Sequence, residues 1–79
     1  MYGAQWCADC RRTKRQLDEL AIDYTYLDVE RDPDAEARAV AISGRQSIPV
    51  VVFPDGSHLV EPSSSGLLAH LHTLGLLAA

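Results

Sequence analysis

Gln5 to Lys14 reads QWCADCRRTK; it holds both cysteines of the chain, three positions apart, and the cations that follow them from Arg11 to Arg15 are four of its seven Lys and Arg residues. Residues three apart lie side by side on a helix. An apolar stripe runs on from the second cysteine: Cys10, Thr13, Leu17, Leu20 and Ala21 share one face at helical spacing, which predicts a helix over Ala8 to Ala21 with Cys10 turned inward. Cys7 falls just before the first turn, where unpaired backbone N–H groups and the positive end of the helix dipole favour an anion. The attacking species in disulfide exchange is a thiolate, and a free cysteine with a pKa of about 8.5 is mostly protonated at neutral pH. Cys7 therefore reads as the nucleophile. Cys10, one turn inside and within bridging reach, reads as the resolving thiol.

Working outward, YTYLDV from Tyr24 to Val29 is β-branched and aromatic, with Thr25, Leu27 and Val29 on one face of a predicted strand. Asp32 and Pro33 form an N-cap and first-turn pair, and Gly44 closes a helix whose inner face is expected to be Ala37, Val40 and Ala41. IPVVVF, Ile48 to Phe53, is the near-continuous apolar run of a strand buried on both faces, and Pro54 to Gly56 turn it back into a short strand at His58 to Val60. Ser63 or Ser64 caps a last helix carrying Leu67, Leu68, Leu71 and Leu74, with Gly75 at its close and Leu76 folding back on Leu71, and Leu77 to Ala79 form a frayed tail. Only Met1 to Ala4 precede the cysteine loop, so the first strand is expected to be truncated. The order βαβαββα predicts one α/β domain over residues 1–79, a mixed four-stranded sheet in a three-layer α/β/α sandwich.

The totals narrow the function. Seventy-nine residues give one core, and two cysteines cannot build the multi-bridge framework of a small secreted protein, so the thiols read as reagents. A net charge of -4 disfavours nucleic acid and anionic membrane, and the longest apolar runs fall far short of a membrane span. The opening MYGAQWC lacks the basic and apolar regions of a secretory signal, which places the expected compartment in the cytoplasm. A monomer is expected.

Arg11, Arg12, Lys14 and Arg15 sit in the first two turns of a helix, where stability alone would favour Asp and Glu. They read as electrostatic support for a thiolate or an anionic thiol substrate; the alternative is a solvated face with Lys14–Asp18 and Arg15–Glu19 surface pairs. Asp9 acts against a thiolate at Cys7, or accepts a proton in the resolving step. Trp6 reads as a flat wall for the substrate thiol or as a cover over the loop. Ser63 and Ser64, at a helix start, also offer a place for a substrate carboxylate. His58, His70 and His72 lack zinc-ligand spacing and read as surface residues.

WCADC before a helix, SIP before an apolar strand and a PDG hairpin together resemble the glutaredoxin branch of the thioredoxin fold, over the whole chain. Within that branch, CADCRRTK, IDYTYLDVERD, SIPVVVFPDGS and LVEPS are most similar to the actinobacterial mycoredoxins. The resemblance implies a thiol–disulfide oxidoreductase that reduces mixed disulfides between proteins and a low-molecular-weight thiol, with no bound cofactor and the thiol as co-substrate, mycothiol favoured over glutathione. It implies a cis Ile48–Pro49 bond against the sulfurs, an Ile48 backbone free to pair with substrate, and substrate-binding roles for Arg12 and Lys14. Two departures stand out: Val60-Glu61-Pro62-Ser63 replaces the usual Gly-Gly-Asp after the hairpin, and Ala8-Asp9 replaces Pro-Tyr between the cysteines. The alternatives are a glutaredoxin-like electron donor to ribonucleotide reductase, reduced by thioredoxin reductase, and a metal or iron–sulfur binding module.

Overall fold

Alternation along residues 24–29 decides how the sheet is sandwiched. Leu27 and Val29 turn to one face and pack with Tyr2, Ala35, Ala39 and Val50, while Tyr24 and Tyr26 turn to the other and pack with Cys10, Leu17, Phe53 and Leu71. The computed structural model describes residues 1–77 and places two core layers on either side of one sheet. The elements follow as β1 (Tyr2–Gly3), α1 (Ala8–Glu19), β2 (Leu27–Asp28), α2 (Pro33–Ser43), β3 (Val50–Val52), β4 (His58–Val60) and α3 (Ser64–Thr73). The sheet order is β2-β1-β3-β4, with β1 parallel to β2 and antiparallel to β3, and β3 antiparallel to β4. This is the mixed four-stranded α/β/α sandwich expected of a thioredoxin-like fold, with a first strand of two residues.

The helix ends follow from their sequences. Asp32 caps α2 by accepting from the N–H groups of Asp34 and Ala35, and Ser63 caps α3 by accepting from Gly66 at 3.0 Å. Gly75, at φ 69°, closes α3: its N–H reaches His72 and the N–H of Leu76 reaches Leu71, a full Schellman closure. Leu67 and Leu71 are buried in the core, at about 1.5–3 kcal/mol each, and hold α3 to the sheet. His70 is tied down as well, its ring 4.4 Å from that of Phe53 and its Nε2 2.9 Å from the Ser57 hydroxyl.

Five expectations are corrected. The inner face of α2 is Ala35, Ala39 and Ile42, and Ala37 and Ala41 are exposed. Alanines at every second position, 35 to 41, put small residues on every side of the helix and leave its phase undetermined. Leu68 points outward, as does Val52 of β3, which lies beyond the cluster under α2. The 24–29 segment is hydrogen-bonded as a strand only at Leu27–Asp28, and Thr25 is exposed, with its carbonyl oxygen accepting from the Met1 amino group at 2.8 Å. Helix α1 stops at Glu19: Ala21 is at φ 55° and exposed, its N–H reaching Asp18 while that of Ile22 reaches Leu17. This is the closure that ends α3, built on an alanine. The frayed tail expected from Leu77 lies, beyond that residue, outside the described residues.

A left-handed alanine costs about 1–2 kcal/mol, from which the entropy glycine loses on folding must be subtracted. Ala21→Gly is expected to stabilise the protein by about 0.5–1 kcal/mol, read as a rise of a few degrees in thermal midpoint.

Candidate active site

Helix α1 begins on a sulfur. Cys7 has extended backbone at φ -82°, ψ 117°, and its Sγ accepts the N–H of Cys10 at 3.3 Å, the place usually filled by a Ser, Thr or Asp oxygen. Cys7 is partly exposed, whereas Cys10 is 1% exposed and packs with Leu17, Val51 and Leu67. Both are free thiols. Burial first, then the hydrogen bond with Cys7, push the Cys10 thiol from 9.0 up to about 12; a backbone hydrogen bond from Ala4 pulls the other way, and the charges of Cys7 and Asp9 add to the rise. One sulfur meets solvent at a helix start and the other stays protonated beneath it.

The Ile48–Pro49 bond is cis, and Pro49 is buried. The Pro49 carbonyl accepts the N–H of Glu61 at 2.9 Å, which ties the loop after β4 to the loop before β3. Glu61 is left-handed, at φ 48°, a conformation that is strained for a glutamate. Ile48 packs against the cluster that contains Cys10. With Trp6 it lines a cleft of about 260 Å³ whose other walls include Glu30, Glu36, Arg45 and Gln46. Trp6 is 66% exposed, so it stands at the rim of this cleft and does not close the core over the loop.

The cations divide by partner. Arg12 Nη1 donates to the Ser64 hydroxyl at 3.0 Å, and its Nη2 donates to the Pro62 carbonyl at 3.2 Å and to Asp9 at 3.4 Å. Gln16 adds a bond to the Ser64 carbonyl at 2.8 Å, so α1 grips the start of α3 through two side chains. Arg12 and Ser64 are thus brought together, and Ser63 is held as the cap. Lys14 pairs with Asp18 at 2.9 Å, which also accepts the Tyr24 hydroxyl at 2.7 Å; that hydroxyl, then Lys14, holds the Asp18 carboxyl below its ordinary value. Arg11 donates to the Gln5 carbonyl at 2.8 Å. Arg11 and Lys14 line a second cleft with Gln5, Cys10 and Tyr26, which shares no lining residue with the first.

Sequence reasoning missed Gln16, Glu61 and Tyr26. For Tyr26 the signal was present: in a strand whose Leu27 and Val29 face α2, Tyr26 must face the cysteine helix. For Glu61 there was none, because glutamate carries no mark of a left-handed backbone.

The Cys10 proton makes stability depend on pH. Its folded value lies above the unfolded one, so the native state holds the proton after the unfolded chain has lost it, and stability present below pH 9 is lost as pH rises toward 12. Denaturant titration of the reduced protein between pH 8 and about 11 is expected to show a falling stability whose slope is reduced in Cys10→Ser.

The chain was then compared with known proteins. Residues 1–59 match the glutaredoxin family model. The glutaredoxin-type protein Rv3198A of Mycobacterium tuberculosis is 33% identical over 72 residues, covering 90% of this chain and 86% of that protein. Mycoredoxin 1 of Corynebacterium glutamicum is 28% identical over 75 residues, 94% of this chain and 92% of that protein. The glutaredoxin-like protein NrdH of Escherichia coli is 33% identical over 55 residues, 70% of this chain and 67% of that protein. With two free thiols at the start of α1, a cis proline entering β3 and a family match over most of its length, the chain belongs to the glutaredoxin family and is a thiol–disulfide oxidoreductase.

Proposed function

We propose that this protein reduces mixed disulfides between proteins and a low-molecular-weight thiol, with Cys7 as nucleophile and Cys10 as resolving thiol. The Cys7 thiolate attacks the small-thiol sulfur, the S–S bond to the protein breaks, and the protein thiolate leaves and takes up a proton. Cys7 is freed when a second small thiol attacks its mixed disulfide, or when Cys10 attacks Cys7 and expels the small thiol. The observation that carries this reading is the asymmetry of the pair: Cys7 Sγ at the helix start 3.3 Å from the Cys10 N–H, and Cys10 1% exposed beneath it.

Mycothiol is the favoured co-substrate. Mycothiol has no carboxylate and glutathione has two; the cleft between Trp6 and Ile48 offers Glu30 and Glu36 against a single Arg45, an arrangement that disfavours the carboxylate-bearing thiol. Similarity to a mycoredoxin over 94% of the chain supports the same assignment. Trp6 and the Ile48 backbone flank the substrate, the cis Pro49 backs the sulfurs, and the start of α3 at Ser63 and Ser64, steadied by Arg12, meets the far side of it; Lys14 adds positive charge from the separate cleft that it lines with Cys10. The protein acts as a monomer in the cytoplasm on small-thiol and protein disulfides, its net charge of -4 disfavouring nucleic acid and membrane. Among the described residues no helix is long and apolar enough to cross a membrane, and no group of three or more His, Cys, Asp and Glu side chains is placed to hold a metal ion.

The second reading, an electron donor to ribonucleotide reductase recharged by thioredoxin reductase, draws on the similarity to NrdH over 70% of the chain. Steady-state reduction of a small-thiol mixed disulfide with mycothiol or glutathione as sole reductant separates the readings. Turnover with mycothiol is expected, retained in Cys10→Ser and reduced to background in Cys7→Ser. Activity that survives in Cys7→Ser refutes the assignment of the nucleophile, and NADPH oxidation that needs only thioredoxin reductase favours the donor.

A further inference from the structure

The resolving step asks a buried, protonated thiol to become an anion. The groups around Cys10 work largely against it. Cys7 is tied up in the mixed disulfide at that moment and the charge of Asp9 opposes a second anion, while Arg11 and Lys14 of α1 are engaged with the Gln5 carbonyl and with Asp18. From β1 and the residue after it, the chain offers no polar side chain at Gly3 or Ala4. From the segment entering β2 it offers the Tyr26 hydroxyl, with Asp28 further along.

Gly3 shows how near that hydroxyl lies. A Cβ placed on Gly3 would sit 3.2 Å from Cys10 Sγ and 3.2 Å from the Tyr26 hydroxyl oxygen, so the two atoms are within about twice that distance of each other, facing one gap. Any other residue at position 3 would fill the gap. Tyr26 is half-buried, packs against the cluster containing Cys10 and lines the same cleft. Among the described residues its hydroxyl donates to no acceptor, in contrast to that of Tyr24, which is held by Asp18.

We propose that the Tyr26 hydroxyl donates a hydrogen bond to the Cys10 thiolate as that thiolate attacks Cys7, a role that rests on the dithiol reading above. Burial, then the charge of Cys10, pushes the Tyr26 phenol up, so it keeps its own proton at neutral pH and acts as a donor. Atoms and electrons balance within the step. Cys10 gives its proton to solvent and its electron pair to Cys7, the Cys7–small-thiol bond breaks, the Cys7–Cys10 bond forms, and the departing thiolate takes a proton from solvent. A hydrogen bond to an anion stabilises it more than one to a neutral group does, and about half of the gain in thiolate population is offset by lower nucleophilicity.

The test uses the reduced full chain mixed with one equivalent of dithiobis(nitrobenzoate). Cys7 releases a first thionitrobenzoate on attack, and Cys10 releases the second on closing the pair. In Tyr26→Phe the first release is expected to keep its rate, while the second slows roughly three- to tenfold and its rate–pH profile moves to higher pH. In a Cys10→Ser background, Tyr26→Phe is expected to change nothing. A second release unchanged in Tyr26→Phe removes the role of Tyr26 and leaves the dithiol reading standing. Equal slowing of both releases makes the tyrosine a structural support and overturns the proposal, and a parent chain that gives no second release removes both readings together.

Discussion

The hydrogen bond from the Cys10 N–H to Cys7 Sγ joins the chemistry to the architecture. The start of an α-helix leaves N–H groups without partners, and this chain meets one of them with a sulfur. A sulfur is a weaker acceptor than the oxygen of a serine or aspartate, so the residue proposed as nucleophile is also the one that orders the first turn of α1. The same three-residue spacing that puts Cys10 N–H at Cys7 puts Cys10 Sγ on the inner stripe of α1 with Thr13 and Leu17, under the sheet. Exposure of one thiol and burial of the other thus come from a single geometric fact, the pitch of α1.

The rest of the site is held by the protein's own polar groups. Pro49 and Glu61 are joined backbone to backbone, and Arg12 and Gln16 reach from α1 to Pro62 and Ser64. Three segments distant in sequence are thereby fixed around the cysteines, and the left-handed Glu61 is held in place by the same contacts. The Arg12 guanidinium does two things at once: its bonds to the loop are structural, and its charge remains beside the start of α1, next to Asp9.

Much of this was legible in the sequence because local rules and global fold agree. The Asp32–Pro33 start and the Gly44 and Gly75 closures each have one physical reading, the cap of α3 was narrowed to Ser63 or Ser64 and is Ser63, and the apolar run does enter β3, although Val52 is exposed. Pattern failed where it was degenerate. Alternating alanines concealed the buried face of α2, and an alanine gave no sign that it would end α1 in a left-handed turn. At the site, the two cysteines were legible from spacing alone, whereas the cleft beside Trp6 was not, because Glu30, Glu36 and Arg45 come together only through the packing of α2 against the loop before Pro49. The cations after Cys10 were legible as a cluster, but their partners were set by tertiary contacts.

The central proposal is that the fold presents one thiol to outside reagents and shields its neighbour from all but the first. Competitive alkylation of the reduced protein with a limiting amount of iodoacetamide at neutral pH, followed by peptide mass mapping, measures this directly. The account predicts label at Cys7, with Cys10 labelled only after denaturation. Comparable labelling of Cys10 in the native protein, or a Cys7 no faster than cysteine in the unfolded chain, would contradict it.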